Sequence, residues 1–334
     1  MPKTTLPTRP LGKTGLDITP VGFGAWAIGG DAWGPQDDSA SIAAIRHAVS
    51  AGVNWIDTAA IYGLGHSEEV VAAALKDIPK SERPYVFTKC GLVWPPADRD
   101  RTNVRRSGKR DSIRREVELS LKRLDVEVID LYQMHWPAPD APMEEYWQAL
   151  LDLKQEGKVL HVGLSNHDET QLETCEALGH VETLQPPFSM IRRDVGAAIL
   201  PWCKAHGTGT IVYSPMQAGL LTGTFSEERA AKLPSNDWRK KDGQFTGETL
   251  KKNLTLVEAL RPIADKHGAT VGSVALAWAL AWPGLTATIV GARAPEQIDG
   301  WIGAAKLTLD DADFAAIDKA IATTGAGTGP AHAA

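Results

Sequence analysis

The chain alternates between short apolar runs and longer stretches in which apolar residues recur every three or four positions. Short apolar runs are typical of buried strands, and amphipathic stretches are typical of helices. The predicted strands are residues 21–25, 53–57, 85–89, 129–134, 160–164, 183–185, 209–213 and 287–290. The predicted helices are residues 39–51, 68–75, 112–124, 143–156, 169–178, 195–206, 250–282 and 310–320. Eight strands alternating with helices indicate an α/β fold, and their number favours a closed (β/α)8 TIM barrel over a doubly wound sheet.

Both ends of the chain carry signals outside this alternation. Residues 9–19 predict a short β-hairpin, with its turn at K-T-G and Gly15. We expect one domain over residues 1–334, with a core at 9–320 that ends in an extra C-terminal helix. The small residues of 321–334 predict a flexible tail.

Two connections are longer than is usual between a strand and a helix. Residues 94–111 are rich in proline and arginine, and residues 216–247 form the other long connection. Both follow a predicted strand, so both lie on the barrel face that carries the C-terminal strand ends. We expect substrate choice to reside in these two loops.

Composition restricts the class of protein. With 334 residues, 43% of them hydrophobic and 23% charged, the chain is long enough for one barrel of about 250 residues plus loops. A net charge of −6 argues against nucleic-acid binding as the main role. The basic run 99–110 is a local exception. We interpret it as a solvated loop or as a region that attracts an anionic substrate or cofactor.

Cysteine usage and apolar runs bear on the cellular setting. Cys90, Cys175 and Cys203 have neither metal or redox spacing nor an even disulfide framework, which favours a reduced, cytoplasmic setting. The first ten residues lack the apolar core of a signal peptide. No run of about 18 apolar residues is present, so no membrane span is predicted. We expect no metal, no membrane association and no obligatory protein partner.

Three predicted strands lead directly into an ionisable residue, which is how parallel α/β proteins assemble an active site. These residues are Asp57, Lys89 and His135, and Tyr62 lies on the loop after Asp57. A free phenol titrates near pH ~10, and a nearby ammonium lowers that pKa. Asp57 would keep Lys89 charged, and His135 would donate a hydrogen bond to a substrate oxygen. The set predicts a general acid aimed at a carbonyl oxygen, with a cofactor supplying the hydride.

The segment 22–27, G-F-G-A-W-A, has the spacing of a Rossmann dinucleotide-binding turn. Its context differs, because loop residues follow where a helix should begin and no acidic residue ends a second strand about 20 positions later. We interpret these glycines as positions where the backbone passes close to a substrate or cofactor.

Four segments taken together resemble the aldo-keto reductase superfamily. They are residues 52–69, K-C at 89–90, M-H-W-P at 134–137 and G-L-S-N at 163–166, and the resemblance extends over residues 9–318. F-G-A-W-A-I-G-G near the start and I-V-G-A-R-A-P-E-Q near the end are most similar to the bacterial general-stress and sugar-reductase branches. The resemblance implies a barrel enzyme that reduces carbonyl compounds with a nicotinamide cofactor.

The resemblance also implies a set of cofactor contacts. Ser165, Asn166 and Gln185 would hold the nicotinamide carboxamide. Tyr213 would stack on the nicotinamide ring, and the backbone of residues 219–223 would pass over the pyrophosphate. The cofactor-binding residues implied in this way are Ser165, Asn166, Gln185, Tyr213, Ser214, Pro215, Gly219, Leu220, Gly291, Arg293 and Gln297.

One departure from the family pattern concerns the pyrophosphate. Thr224 stands where many members carry a lysine. The pyrophosphate would then take its positive charge from elsewhere, with Arg239, Lys240 and Lys241 as candidates.

A second departure concerns the adenosine end of the cofactor. Gly291 to Gln297 follow the last predicted strand and open a helix, and a helix N-terminus with a nearby arginine suits a phosphate. By resemblance, Arg293 and Gln297 contact the adenosine phosphate or ribose. Residues 300–301, Gly-Trp, replace the Glu-Asn pair with which members commonly hold adenine. NADP(H) is the expected cofactor, and NAD(H) stays open.

Four tryptophans are predicted on loops or strand ends of the catalytic face. Several aromatic rings together are typical of a pocket wall for an apolar or ring-shaped carbonyl substrate, and packing within the loops is the alternative. The residues are Trp26, Trp33, Trp94 and Trp136.

The sequence therefore predicts an NADPH-dependent reductase of aldehydes or ketones, in which Tyr62 is the general acid and Lys89 and Asp57 set its acidity. One alternative is an NAD(P)-dependent sugar or polyol dehydrogenase that runs the same chemistry in reverse. Another is a cofactor-binding, redox-sensing subunit with negligible turnover. A phosphate-sugar isomerase barrel would not need the Tyr-Lys-Asp-His set. The substrate, the preferred direction and the oligomeric state stay open.

Overall fold

The computed structural model describes residues 5–30, 36–95, 101–235 and 237–332. The strands of this part of the chain are β1 (Arg9–Pro10), β2 (Asp17–Ile18), β3 (Val21–Gly24), β4 (Trp55–Asp57), β5 (Tyr85–Cys90), β6 (Leu92–Val93), β7 (Arg105–Arg106), β8 (Ile129–Met134), β9 (Val159–Ser165), β10 (Thr183–Gln185), β11 (Gly209–Val212) and β12 (Ala287–Gly291). The helices are α1 (Asp38–Ser50), α2 (His66–Leu75), α3 (Arg110–Leu124), α4 (Met143–Gln155), α5 (Glu169–Glu176), α6 (Ile199–His206), α7 (Glu227–Ala231), α8 (Gly247–Ala259), α9 (Arg261–His267), α10 (Val271–Leu280), α11 (Pro295–Asp299) and α12 (Asp311–Thr324). Short 3₁₀ turns connect several of them.

Eight parallel strands close into a barrel in the order β3, β4, β5, β8, β9, β10, β11, β12. The barrel closes where β12 pairs with β3, from Thr288 opposite Val21 to Gly291 opposite Gly24. The helices cover the outside, because a parallel sheet must bury both faces. The (β/α)8 prediction is confirmed.

The N-terminal hairpin β1–β2 closes one end of the barrel. Arg9 pairs with Ile18, and the predicted hairpin is present. Leu11 and Ile18 are fully buried in one apolar cluster with Trp55 and Phe87 from the barrel strands. Trp55 and Phe87 each precede the ionisable residue of their strand by two positions, so the functional side chains are left to the opposite end.

The two-residue period of a strand explains which side chains reach the catalytic end. In β4, Trp55 lies in the barrel interior and Asp57, two residues later, shares its face. In β5, Phe87 and Lys89 stand in the same relation. Leu131 of β8 and His135, the residue after that strand, are four positions apart and therefore also share a face. The apolar residue of each pair packs in the barrel interior, and the ionisable residue lies at the catalytic end of the barrel.

The predicted helix over residues 250–282 is wrong, because that stretch forms α8, α9 and α10. Pro262 starts α9 in its first turn, a position that tolerates the missing N–H. Gly268 ends α9 in the left-handed region at φ 58°, and Thr270 caps α10 by accepting a hydrogen bond from the Ser273 N–H. Because the spacing of apolar residues continues across these short breaks, the spacing alone does not reveal where one helix ends and the next begins.

The last helix, α12, extends to Thr324, four residues beyond the boundary predicted at residue 320. The segment after it lies against the loop that follows β10. The buried guanidinium of Arg193 donates to the carbonyls of Ala326, Gly329 and Pro330. A segment of small residues brings its carbonyls close enough to surround this cation, which gives it acceptors without a carboxylate.

Within the described ranges, every helix is too short or too polar to cross a bilayer.

Candidate active site

Asp57, Lys89 and Tyr62 form one contact group at the catalytic end of the barrel. Nζ of Lys89 donates to Oδ1 of Asp57 at 2.7 Å and to the carbonyl oxygen of Thr58 at 2.8 Å. The same nitrogen lies 3.5 Å from the phenolic oxygen of Tyr62 and 5.2 Å from the centre of its ring. The structure therefore places an ammonium, held by a carboxylate, beside a phenol, as the sequence predicted.

The turn after β4 holds Tyr62 in this position. The Tyr62 N–H donates to the Ala59 carbonyl, and the Tyr62 carbonyl accepts from the Ser67 N–H at the start of α2. Gly63 has a φ of 62°, and a Cβ there would lie 2.3 Å from the carbonyl oxygen of Gly29. Glycine at position 63 thus lets the loop after β3 close against the tyrosine-bearing turn.

Burial governs the protonation of this group. It raises the pKa of the Asp57 carboxyl and lowers the pKa of the Lys89 ammonium, and the ion pair between them opposes both shifts. Both groups stay charged because each is the counter-ion and hydrogen-bond partner of the other, which compensates for their burial. In such a low-dielectric site the ammonium acts strongly on the neighbouring phenol.

His135 completes the group as a neutral imidazole. Burial and the positive charges of Lys89, Arg101 and Arg106 hold its pKa well below the usual range. Its ring meets the Tyr62 ring edge to face, with centroids 5.8 Å apart and planes at 80°. A neutral ring can donate one hydrogen bond to an oxygen without competing for the proton of Tyr62.

A cavity of about 330 Å³ opens beside Tyr62 and His135. Trp26 and Trp136 line it, so two of the predicted tryptophans lie at the site. Trp94 instead lines a different cavity, so the structure does not bring it to this group. Trp33 lies outside the described residues.

The residues expected around nicotinamide line the same cavity and form a connected hydrogen-bond network. The Tyr213 hydroxyl donates to Oδ1 of Asn166 at 2.8 Å, and Nδ2 of Asn166 donates to Oγ of Ser165 at 3.0 Å. Oγ of Ser165 in turn donates to the backbone carbonyl of Gln185. Asn166 sits at φ 63°, a left-handed conformation that asparagine tolerates.

Gln185 joins this network to the ionisable group. Its Nε2 donates to Oδ2 of Asp57 at 2.8 Å. Both carboxylate oxygens of Asp57 are therefore engaged, one by Lys89 and one by Gln185. The sequence did not reveal this contact because the two residues lie 128 positions apart.

The loop after β11 turns sharply past the cavity. Ser214, Gln217, Ala218 and Gly219 all have positive φ, and Gly219 has open space where a Cβ would stand. Among the predicted contacts of this loop, Ser214, Pro215 and Gly219 line the cavity. Leu220 is fully buried in the hydrophobic core and lines neither this cavity nor the next.

A second cavity of about 670 Å³ continues from the first. The two share five lining residues: Ala27, Met216, Ala218, Gly219 and Gly291. Arg293 and Gln297 line the second cavity, and the Arg293 N–H donates to Oε1 of Gln297 at 2.7 Å. Four arginines border it: Arg229, Arg239, Arg261 and Arg293.

Of the three residues considered as a replacement for the missing lysine charge, only Arg239 is among the described lining residues of the second cavity. Arg239 lines the second cavity and donates to the Ala218 carbonyl and to Asp237. Lys240 instead donates to the Leu233 carbonyl and, like Lys241, is not among the lining residues.

Ile61, Leu92 and Arg101 are among the lining residues of the first cavity that the sequence did not single out. Ile61 lies inside the recognised block around Tyr62, and Arg101 lies inside the basic run. The position of Leu92 depends on the β6–β7 hairpin, which has no clear local signal. Over the described ranges, no group of three or more His, Cys, Asp or Glu could hold a metal ion.

The comparisons with known proteins agree with this geometry. The sequence model of the Aldo/keto reductase family matches residues 20–322. The aldo-keto reductase YhdN of Bacillus subtilis is 35% identical over 315 residues, which cover 94% of this chain and 93% of the relative. The NADH-specific methylglyoxal reductase of Escherichia coli is 36% identical over 317 residues, covering 91% and 95%.

A solved structure gives the same result in three dimensions. The glycerol dehydrogenase AKR11B4 of Gluconobacter oxydans superposes with a TM-score of 0.87 at 34% identity, covering 99% of this chain and 98% of that one. The predicted resemblance is confirmed over nearly the whole barrel. The chain is an oxidoreductase that belongs to the aldo/keto reductase family.

Proposed function

We propose that the protein reduces an aldehyde or ketone to an alcohol, with Tyr62 as the proton donor and NADPH as the hydride source. The observation that carries this proposal is the buried ammonium of Lys89, 3.5 Å from the Tyr62 phenol and fixed by Asp57. A phenol beside a cation in a cavity is suited to give up its proton at neutral pH.

Each residue has a separate task in this reaction. Tyr62 delivers a proton to the carbonyl oxygen as negative charge develops there. Lys89 lowers the pKa of the phenol, and Asp57 keeps Lys89 charged and in place. Neutral His135 donates a hydrogen bond that orients the carbonyl oxygen. A positioned general acid contributes about 10²–10⁴-fold to the rate.

The two joined cavities fit a nicotinamide dinucleotide, which when bound supplies the hydride for the carbonyl carbon. Tyr213 and Asn166 would face the nicotinamide. Gly219, which has open space at its Cβ position, lets the backbone lie close to the pyrophosphate. The arginines around the second cavity suit the phosphates of a polyanion.

NADPH is favoured over NADH because Arg293 borders the second cavity near the start of α11, where an extra phosphate would meet a guanidinium. The name of the Escherichia coli relative points to NADH, so both forms belong in the test. The name of the Gluconobacter structure supports a second candidate, in which the same residues oxidise a polyol. In that direction Tyr62 would accept the proton instead of giving it.

Steady-state assays test the proposal directly. Purified protein is mixed with NADPH or NADH and a panel of aldehydes, ketosteroids, aldoses and quinones, and the absorbance of the reduced nicotinamide is followed. We expect turnover of at least one aldehyde or ketone, faster with NADPH. Faster oxidation of glycerol or a sugar alcohol would favour the dehydrogenase. A stoichiometric, fluorescent cofactor complex without turnover would contradict both and favour a redox sensor.

A further inference from the structure

We propose that the substrate carries an anionic group, a carboxylate or a phosphate, and that Arg101 binds it. This inference deepens the proposed reductase function and rests on it. It names the class of carbonyl compound that the first cavity selects.

The location of Arg101 is the first observation. It begins the 3₁₀ turn Arg101–Asn103, in the loop that follows β5 and β6. It lines the first cavity together with Tyr62, His135 and Trp136. The residues expected around nicotinamide come from the ends of β9, β10 and β11, whereas Arg101 reaches the cavity from the loop after β5 and β6. This separation leaves Arg101 for the substrate.

The charge balance of this cavity is the second observation. Asp57 is the one carboxylate among its described lining residues, and both of its oxygens are bound by Lys89 and Gln185. No lining carboxylate is therefore left to repel an anion at this wall. An anion bound there would find a guanidinium, the group best suited to pair with carboxylate or phosphate.

A second guanidinium lies at the same border. Arg106 stands over the Trp136 ring, 4.8 Å from its centre, and Trp136 lines the cavity. The charges of both Arg101 and Arg106 are felt at His135, since both lower its pKa. Two positive charges therefore act on the place where the carbonyl oxygen meets His135.

The walls between these groups favour a short link between carbonyl and anion. Ile61, Leu92 and Trp26 give an apolar surface along which a few carbon atoms or a ring can lie. The carbonyl oxygen would sit between Tyr62 and His135, and the anionic group would extend toward Arg101.

A matched pair of aldehydes tests the inference. 4-Carboxybenzaldehyde and 4-carbamoylbenzaldehyde have nearly the same shape and differ in charge. We expect wild type to prefer the carboxylate by at least about 10-fold in kcat/KM, because pairing with a guanidinium is charge-assisted. Glyceraldehyde 3-phosphate against glyceraldehyde, assayed in the same way, shows whether phosphate is accepted as well.

Two variants that each remove one positive charge distinguish a direct contact with the anion from the overall positive charge of the loop. Arg101→Gln should reduce the preference to about 1, mainly through a higher KM for the carboxylate, and leave the Kd of NADPH within about twofold. Arg105→Gln is the control, because Arg105 is exposed on the same loop and does not line the cavity. It should retain most of the preference.

Several outcomes would overturn the inference. These are equal kcat/KM for the two aldehydes, equal effects of both variants, or a loss of NADPH affinity in Arg101→Gln. Binding of the product alcohols 4-carboxybenzyl alcohol and 4-carbamoylbenzyl alcohol, titrated by tryptophan fluorescence, gives the same comparison without turnover. Tighter binding of the acid in a protein that reduces nothing would defeat the proposed function and keep the anion site. Turnover without charge preference would do the reverse.

Discussion

Nζ of Lys89 donates to Oδ1 of Asp57 at 2.7 Å, and the two side chains are 0% and 4% exposed. A buried side chain stays ionised only when an opposite charge lies beside it. Removing one partner of a buried ion pair lowers the free energy of unfolding by about 3–5 kcal/mol. The pair therefore fixes a cation at a defined place beside Tyr62. In the proposed reaction, the acidity of the phenol depends on this placement.

Lys89→Met should abolish reduction almost as completely as loss of the phenol itself. The change removes the cation proposed to lower the phenol pKa and leaves Asp57 buried without its counter-ion, so kcat should fall by at least about 10²-fold. Circular dichroism and an NADPH titration show whether the variant is folded and loaded. Lys80→Met, which removes an exposed ammonium, is the control. A folded Lys89→Met protein with normal turnover would mean that the phenol needs no cation.

Two substitutions of Tyr213 separate its ring from its hydroxyl. Tyr213→Phe removes the hydrogen bond to Asn166 and keeps the ring, so NADPH affinity should fall by no more than about 10-fold, the size of one hydrogen bond. Tyr213→Ala removes the stacking surface as well and should weaken the cofactor much further. Protein fluorescence titrated with NADPH measures both. Equal losses would assign the whole effect to the hydroxyl.

The ionisable residues at the strand ends could be predicted because their positions follow from the two-residue period of strands. Asp57 and Lys89 share a face with Trp55 and Phe87, so an apolar strand that ends on a charged residue already indicates the end of the barrel to which that residue points. The position of Tyr62 at the site could be predicted because it lies only five residues after Asp57 in the chain.

Contacts between distant segments could not be predicted in this way. The β6–β7 hairpin pairs Leu92 with Arg106 and reshapes the loop on which Trp94 stands, and local patterns give no measure of that pairing. Leu220 lies within a glycine-rich turn, yet its side chain points into the core. The buried Arg193 holds the C-terminal segment through backbone carbonyls, which carry no sequence signal.

Arg293→Ala tests the choice of cofactor. If Arg293 pairs with the 2′-phosphate, its loss should weaken NADPH by roughly 10- to 100-fold and barely affect NADH, because guanidinium–phosphate contacts contribute about 1.5–3 kcal/mol. Fluorescence titrations of wild type and variant with each cofactor give the comparison. Equal losses would place Arg293 on the part shared by the two dinucleotides, and no loss would mean that Arg293 does not contact the cofactor. Either result contradicts the NADPH assignment.

Glu116 predicts a pH dependence of stability. Burial raises its pKa from 4.5 to about 7, while its carboxylate accepts hydrogen bonds from the Gly91 N–H and Ser112. A carboxyl whose pKa is higher in the folded state binds more protons there, so stability falls as pH rises from about 4.5 to about 7. The loss is on the order of 3 kcal/mol.

Glu116→Gln keeps an acceptor for the Gly91 N–H and removes the titration. Denaturant unfolding of wild type and variant at pH 4.5 and 7.5 should therefore show a smaller decline in the variant. Glu118→Gln, an exposed change on the same helix, should follow wild type. Parallel declines for wild type and Glu116→Gln would show that Glu116 does not titrate in this range.

The most direct measurement compares Tyr62→Phe with wild type in carbonyl reduction and in NADPH binding. The substitution removes the hydroxyl proposed as the proton donor and leaves the ring against His135. Turnover should fall by at least about 10²-fold while the Kd of NADPH stays within about twofold. Tyr85→Phe is the control, because Tyr85 begins β5 at the end away from Lys89, and it should behave as wild type. Turnover of Tyr62→Phe within a few-fold of wild type would contradict the role of Tyr62 as the proton donor.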